Sequence, residues 1–220
     1  MSILLAIETS VPEASIALSI DGEIVATQEF ESHRQQNKLL FPALDTVLQY
    51  LRSHQLTPDQ IIVGTGPGSY SGSRISIAAA HGLAIAYSCP VAGLGSLLAT
   101  PSLQTQARAF AIGDARRDSY FIAEIHQDSS EFTPELMDHQ AFIAKLSDID
   151  PSIPRISFEH ELPVENFLRE TPHATRLISA WNNLPQTERE KLNTTPPQPL
   201  YLRAPFITKA KPGHPLLRRK

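Results

Sequence analysis

Short apolar runs and alternating positions at the start of the chain indicate β-strands. Residues 3–7 are continuously apolar, and residues 14–20 alternate well enough for a second strand. Asp21-Gly22 follows, a dipeptide that is typical of tight hairpin turns. Residues 23–30 are therefore expected to return as an antiparallel strand.

The next periodic segment has the spacing of an amphipathic helix, which we predict over residues 35–52. Pro42 interrupts the segment, so we expect either a kink or a helix that begins near Phe41. The apolar positions that define the helix are Leu39, Leu40, Ala43, Leu44, Val47, Leu48 and Leu51.

A strand, a glycine-rich loop and a helix are predicted next, over residues 61–64, 65–72 and 73–87. The helix is apolar on almost every side, whereas a surface helix needs a polar face. We therefore expect it to be covered twice. One cover is the sheet of its own lobe, and the other is either the second lobe or a partner.

The later part of the chain has weaker patterns. Residues 96–99 predict a short helix ended by Pro101, and strands at 107–112 and 119–125 flank a turn. Ser, Thr and Gln cluster at 102–107, directly after Pro101, and we place a boundary between two lobes there. The remaining predicted elements are a strand at 154–159, helices at 163–169 and 172–183, and an extended segment at 200–203.

The composition excludes a wholly disordered chain and predicts a soluble globular protein, since 41% of the 220 residues are hydrophobic and 19% are charged. The longest apolar run, 75–87, is interrupted and falls short of the roughly 20 residues of a membrane helix. The first residues lack the basic region of a signal peptide, and Cys89 is the single cysteine. We therefore expect a cytoplasmic protein and no contact with a membrane.

The net charge of −4 argues against general nucleic-acid binding, which needs a basic surface. The end of the chain differs, because residues 209–220 carry basic side chains and no acidic one. Such a tail suits either a contact with nucleic acid or an acidic partner, or a mobile solvated segment that the fold does not need. Its basic residues are Lys209, Lys211, Arg218, Arg219 and Lys220.

The glycine-rich loop does not fit the known phosphate-binding templates. A Walker A loop needs Gly-Lys after four residues, but Ser71 follows Gly66 at that spacing and Ser73 follows Gly68. The dinucleotide fingerprint fails at Ser69, and no acidic residue lies about 20 positions later. We favour a tight turn that lets strand and helix pack closely, with Gly66 or Gly68 at positive φ.

Other catalytic patterns are missing as well. Tyr70 stands where a nucleophile elbow needs serine, and no two of the eight histidines lie within five positions of each other. The acids of Glu159-His160-Glu161 are expected on the opposite face of a strand end from the histidine, at the surface. The residues therefore predict no catalytic residue, no metal site and no cofactor.

Several segments together resemble the TsaB (YeaZ) family. The most specific is VGTGPGSYSGSR at residues 63–74, and LLAIETS at 4–10 and PLYLR at 199–203 add weaker matches. The alanine-rich helix to Tyr87 followed by PVAG, and the turn DARR before Tyr120-Phe121, also fit. Two features depart from the family. Glu8 stands where the family usually has Asp, and residues 128–195 match little.

The resemblance implies an α/β fold of the ASKHA (actin, sugar kinase, Hsp70) type. This is a two-lobed, shortened fold with mixed sheets flanked by helices. The expected division is a first lobe at 1–105, a second, degenerate lobe at 106–208, and the basic tail at 209–220.

The resemblance also implies a function without catalysis. TsaB proteins are non-catalytic subunits that bind a TsaD-like catalytic partner and support threonylcarbamoyl transfer to adenosine 37 of tRNA. A TsaE-like ATPase joins the larger complex, and tRNA is contacted only indirectly. TsaD-type proteins hold their metal with paired histidines where this chain has LGSLLA at residues 94–99.

The resemblance further implies that the partner meets helices of the first lobe. The small residues of the second helix would allow close approach, and a stripe of the first helix lies beside them. The predicted interface residues are Leu40, Ala43, Val47, Ile75, Ala78, Ala79, Gly82 and Ala86.

Two other classes of function stay open. One is an enzyme, either an ATP-binding ASKHA protein or a metallopeptidase-like hydrolase. The other is a self-associating homodimer without a role in tRNA modification, since exposed apolar helices pair with their own copies.

Overall fold

The computed structural model describes residues 1–32 and 35–203. The predicted basic tail, 209–220, lies outside the described residues.

The strands are β1 Ile3–Glu8, β2 Glu13–Ile20, β3 Glu23–Glu31, β4 Gln60–Gly64, β5 Val91–Leu94, β6 Arg108–Asp114, β7 Ser119–His126, β8 Glu135–Asp138, β9 Arg155–Ser157 and β10 Leu168–Arg169. The helices are α1 Gln36–Ser53, α2 Tyr70–Tyr87, α3 Ser102–Thr105, α4 His139–Asp148, α5 Ala174–Asn183 and α6 Gln186–Thr194, with a 3-10 helix at Ser96–Ala99.

The strands form two five-stranded mixed sheets with the same topology. The first sheet has the order β3-β2-β1-β4-β5 and the second has the order β10-β9-β6-β7-β8. In each sheet a three-stranded antiparallel meander is extended by two parallel strands. In each sheet, too, a helix connects the meander to the first of these parallel strands. Each sheet is therefore built in the order strand, strand, strand, helix, strand, with the helix as the crossover connection. The same arrangement occurs twice along the chain, as the predicted ASKHA fold requires.

The predicted hairpin between the second and third strands is confirmed. Asp21 and Gly22 both have positive φ, at 50° and 86°, as a type I′ turn requires. β2 and β3 are antiparallel, with Ile20 opposite Glu23. The dipeptide therefore sets the register next to the turn, and an irregularity between Leu18 and Ser19 shifts the pairing by one residue beyond it.

Helix α1 runs through Pro42, so the alternative in which it begins near Phe41 is wrong. Pro42 lacks the N–H that would bond to the preceding turn, but the apolar stripe holds the helix on the sheet. Leu40, Val47 and Leu51 are fully or almost fully buried on that stripe.

The first sheet is covered on both faces. Ile3, Leu5 and Ile7 pack with α1 and α2, whereas the alternate residues Leu4 and Ala6 pack in a second cluster with α5. All six residues of β1 are buried for this reason. A helix from late in the chain thus packs on the second face of the first sheet.

The second half of the chain departs from the sequence predictions in several elements. The helix predicted at 163–169 is wrong, because these residues form bends that end in β10, which pairs with β9. β8, α3, α4 and α6 were not predicted. The lobe limits at 105 and 208 stay a prediction.

Within the described residues, no helix is long and apolar enough to cross a membrane.

Candidate partner surface and cleft

The glycine-rich loop lies directly on the connection between β1 and β2. Gly66 and Gly68 have φ of +96° and +152°, which confirms the predicted positive φ. A Cβ atom on Gly68 would lie 2.1 Å from the Ser10 carbonyl oxygen. That oxygen accepts a hydrogen bond of 2.6 Å from Ser69 N–H. Glycine is therefore needed here for close backbone packing.

The loop leads into α2, which starts three residues before the predicted position. Ser69 Oγ accepts a hydrogen bond of 3.1 Å from Gly72 N–H and caps the helix. Hydrogen bonds thus join the β1–β2 connection, the glycine-rich loop and the start of α2.

Glu8 is fully buried at the carboxyl end of β1. Its Oε1 accepts a hydrogen bond of 2.7 Å from Ser10 N–H, while Oε2 has no partner within the described residues. Burial raises the pKa of the Glu8 carboxyl, and hydrogen bonding to Ser10 opposes this shift only in part. The Glu8 side chain has no exposed surface and does not belong to the lining of the cavity beside the loop.

A cavity of about 560 Å³ lies between the glycine-rich loop, the β6–β7 turn and the segment at 200–203. Its walls are largely apolar, with charged side chains at Asp114, Arg116 and Glu159 among them. Within residues 1–32 and 35–203, no three His, Cys, Asp or Glu side chains are grouped so that they could hold a metal ion. The cavity is large enough for a small molecule.

Three small residues of α2 share one exposed face. Ala78, Gly82 and Ala86 are exposed, and Ile85 beside them is 81% exposed. A Cβ atom on Gly82 would meet nothing within 4 Å. A neighbouring helix can therefore approach the backbone of α2 closely along this face, which we call the α2 face.

The structure divides the predicted interface residues into two groups. Ala78, Gly82 and Ala86 lie on the α2 face. Leu40, Val47 and Ala79 are buried in the core of the chain itself, and Ala43 and Ile75 are half-buried against that core. As a contact surface, the set stays a prediction.

A cluster of three side chains next to the α2 face was not predicted. The Arg74 guanidinium lies 4.1 Å from the centre of the Tyr70 ring, and its Nε–H donates to Tyr201 Oη at 2.6 Å. The two tyrosine rings stack at 5.2 Å. All three residues lie in two of the segments that resemble the TsaB family, and this was the only hint in the sequence that they matter. The sequence alone does not show that they are in contact.

The duplicated topology, with helices on both faces of the first sheet, defines a protein of the two-lobed ASKHA class. A solved structure described as an uncharacterized protein with similarity to peptidase YEAZ from Pseudomonas aeruginosa is 26% identical. Its TM-score is 0.64, and the match covers 92% of this chain and 100% of that chain. The structure of YeaZ from Pseudomonas aeruginosa, 24% identical with the same coverage and TM-score, supports the fold.

Residues 23–150, more than half of the chain, match the family described as TsaD: tRNA N6-adenosine threonylcarbamoyltransferase. The chain belongs to this family, and its resemblance to the TsaB (YeaZ) proteins is confirmed by curated relatives. The tRNA threonylcarbamoyladenosine biosynthesis protein TsaB of Escherichia coli is 29% identical over 131 residues, and that of Haemophilus influenzae is 29% identical over 126 residues.

These curated matches are partial. They cover 58% and 56% of this chain. The chain spans about half the length of the curated relatives it matches, at 56% and 53%.

Proposed function

We propose that the chain is a non-catalytic subunit for threonylcarbamoyl transfer to adenosine 37 of tRNA, and that it acts by binding a TsaD-like catalytic protein. The α2 face carries this proposal. An isolated chain gains nothing from exposing Ile85 beside a stripe of small residues, whereas a partner helix would bury both. The names of the curated relatives place them in the biosynthesis of threonylcarbamoyladenosine.

The segment at 94–99 supports a role without catalysis. The resemblance implies that TsaD-type proteins have their metal-binding histidines here, but this chain places Leu97 and Leu98 in its core. Ser96 Oγ accepts a hydrogen bond of 2.9 Å from Gly66 N–H and so supports the glycine-rich loop. The segment therefore has a packing role.

The wider assembly is also part of the proposal. A TsaE-like ATPase would join the complex, and tRNA would be held mainly by the catalytic partner. The single cysteine, Cys89, suits a reducing compartment, and we propose the cytoplasm. A homodimer through the α2 face would compete with the partner for the same surface.

The test is to mix the purified chain with a TsaD-like protein and to measure mass by light scattering and affinity by calorimetry. Gly82→Arg should weaken the association at least about 100-fold, because an unpaired charge at the centre of an apolar interface costs several kcal/mol. It should also abolish threonylcarbamoyladenosine formation, measured by mass spectrometry of tRNA nucleosides, while the melting temperature is kept.

Leu168→Arg is the matched control, because it also places arginine at an exposed apolar position, 52% exposed, but on the second sheet. We expect it to bind the partner normally. The proposal fails if the wild-type chain does not associate with the TsaD-like protein, or if tRNA modification proceeds equally well without the chain. If Gly82→Arg and Leu168→Arg bind equally well, α2 is not the contact surface.

A further inference from the structure

We propose that Arg74 is a preorganised anchor for a carboxylate side chain of the protein partner. This inference rests on the proposed function and adds the chemistry that the partner must present. Arg74 is exposed at the start of the second turn of α2, one turn before Ala78, at the end of the α2 face nearest the glycine-rich loop. Its position makes it the first charged group that a helix lying along this face would meet.

Two aromatic side chains hold the guanidinium of Arg74 in place. Tyr70, one turn earlier on the same helix, lies under the guanidinium, and Tyr201, 127 residues later in the chain, accepts the Nε–H. An arginine side chain ordinarily loses much rotamer freedom when it binds. Because Arg74 is already held, its side chain loses less conformational entropy when a ligand binds to its Nη atoms.

No carboxylate among the described residues forms an ion pair with Arg74. The whole of α2, Tyr70–Tyr87, has no acidic residue, and its ionisable groups besides the tyrosines are Arg74 and His81. The remaining Nη donors of Arg74 form a fork that matches the two oxygens of a carboxylate. The chain thus presents an exposed cation that no carboxylate of the described residues neutralises.

The surroundings of Arg74 favour a protein as the source of that carboxylate. Beside Arg74 lies a groove of about 480 Å³ formed by α2 and the segment at 198–201. Its walls include Ile77, Ala78 and Pro199. Ala78 belongs both to this groove and to the α2 face. A partner helix on the α2 face can therefore fill the groove with apolar side chains and present an acid to Arg74.

RNA phosphate is the less suitable ligand for this groove. Binding of a nucleic-acid backbone depends on several cations along a surface. Arg74 and His81 are the basic residues that line this groove, and the chain has a net charge of −4. The other lining residues are uncharged: Ile77, Ala78, Gln198, Pro199 and Tyr201. A single carboxylate at the edge of an apolar contact fits these features better.

The test measures the affinity of the full chain for the TsaD-like partner by calorimetry at two salt concentrations. Arg74→Glu should weaken binding about tenfold or more, because it replaces attraction by repulsion. Arg74→Lys should weaken it less, because the charge remains but the fork is lost. The loss should be smaller at high salt, where charges are screened.

A second pair of variants tests the preorganisation itself. Tyr201→Phe removes the hydroxyl that accepts from Arg74 and keeps the stacked ring. It should weaken binding about twofold to fivefold in the wild-type background and have no further effect in Arg74→Ala, as a double-mutant cycle reveals. A merely structural role of Tyr201 would give the same effect in both backgrounds.

Arg108→Glu is the matched control, because Arg108 is an exposed arginine that pairs with Glu124 on the second sheet. It should bind the partner as the wild type does. An Asp→Arg or Glu→Arg change on the partner that restores binding of Arg74→Glu would identify the carboxylate.

The outcomes separate this inference from the proposed function. If Gly82→Arg abolishes association but Arg74→Glu binds normally, the anchor is wrong and the α2 interface stands. If the wild-type chain does not bind the partner, the proposed function itself fails. If Arg74→Glu keeps the protein contact and instead loses contact with tRNA in the complex, the ligand is a phosphate and the inference is overturned.

Discussion

Glu8 occupies the space that a side chain on Gly64 would need. A Cβ atom on Gly64 would lie 2.0 Å from Glu8 Oε2 and 2.8 Å from Ser96 Oγ. The two residues stand at the carboxyl ends of the neighbouring parallel strands β1 and β4. Glu8 is longer than the aspartate that the family usually has at this position. Because its carboxyl fills the space beside Gly64, a side chain at position 64 would overlap it.

We expect Gly64→Ala to lower the free energy of unfolding by about 2 kcal/mol, because the new methyl group overlaps a buried carboxyl. Urea unfolding measures this change. Gly82→Ala is the control, since its methyl group would meet nothing, and replacing a helical glycine should raise stability by about 0.5–1 kcal/mol. In a Glu8→Asp background the cost of Gly64→Ala should shrink, because the shorter acid withdraws from the new methyl group. An unchanged cost there would contradict the proposed overlap.

Glu8→Gln should stabilise the protein at neutral pH. The pKa of Glu8 is raised above its ordinary value of 4.5. The folded protein therefore favours the protonated form of Glu8. The resulting contribution to the free energy of unfolding is fully present below pH 4.5 and is lost as pH rises through the raised pKa. Glutamine stays neutral throughout. The stability difference between variant and wild type should be small below pH 4.5 and should grow as pH rises, as urea unfolding at a series of pH values will measure.

Glu13→Gln serves as a control of opposite sign. Burial acts to raise the pKa of Glu13, but its hydrogen bond and ion pair with Arg169 outweigh burial and the pKa is lowered. Its contribution is present above the ordinary pKa and is lost as pH falls. The variant should be the less stable protein at neutral pH and should approach the wild type in acid. Parallel curves for the two variants would contradict at least one of the two assignments.

Glu170 is expected to be one of the more costly acids to remove. It is only 9% exposed, and its carboxylate accepts hydrogen bonds from Ser102 N–H at 3.0 Å and Ser102 Oγ at 2.6 Å. Glu170→Ala should lower the free energy of unfolding by about 2 kcal/mol, because it leaves a buried donor without its acceptor. Glu165→Ala, at an exposed position, should stay within about 0.5 kcal/mol of the wild type. Equal effects of the two would show that the Ser102 contact is not stabilising.

Phe142 is expected to hold α4 on the second sheet. Its side chain is fully buried, and its ring stacks on that of Tyr120 at 4.8 Å. Phe142→Ala should cost about 3–5 kcal/mol of stability in thermal or urea unfolding. Phe41→Ala, at a phenylalanine that is 56% exposed on α1, should cost less than about 1 kcal/mol. A small effect of Phe142→Ala would mean that α4 contributes little to the fold.

The elements of the first sheet were predictable because their signals are local. The Asp21-Gly22 turn sets a two-residue hairpin, and the spacing of Leu40, Leu44 and Val47 sets the buried stripe of α1. The predicted helix at 163–169 was wrong because its last two residues pair with β9, so that Leu168 lies opposite Ile156. Propensity cannot register such a pairing, which depends on a strand elsewhere in the chain.

The candidate surface was predictable only in part. Helical periodicity identifies α2 as apolar all round, but it does not say which side the sheet covers. The structure places Ala79 against the core and leaves Ala78 and Gly82 exposed. The Arg74–Tyr201 contact had no local signal, because its partners are 127 residues apart.

The amino-acid sequence by itself determined the positive φ of the glycine-rich loop, the tight turn at Asp21-Gly22 and the apolar face of α1, since each depends on residues within a few positions of one another. Only the tertiary structure decided that α5 covers the second face of the first sheet, that Gly64 makes room for Glu8, and that Tyr201 clamps Arg74. Contacts of this kind are decided by which distant surfaces fill the same volume at close packing, and that selection is made by the folded chain as a whole.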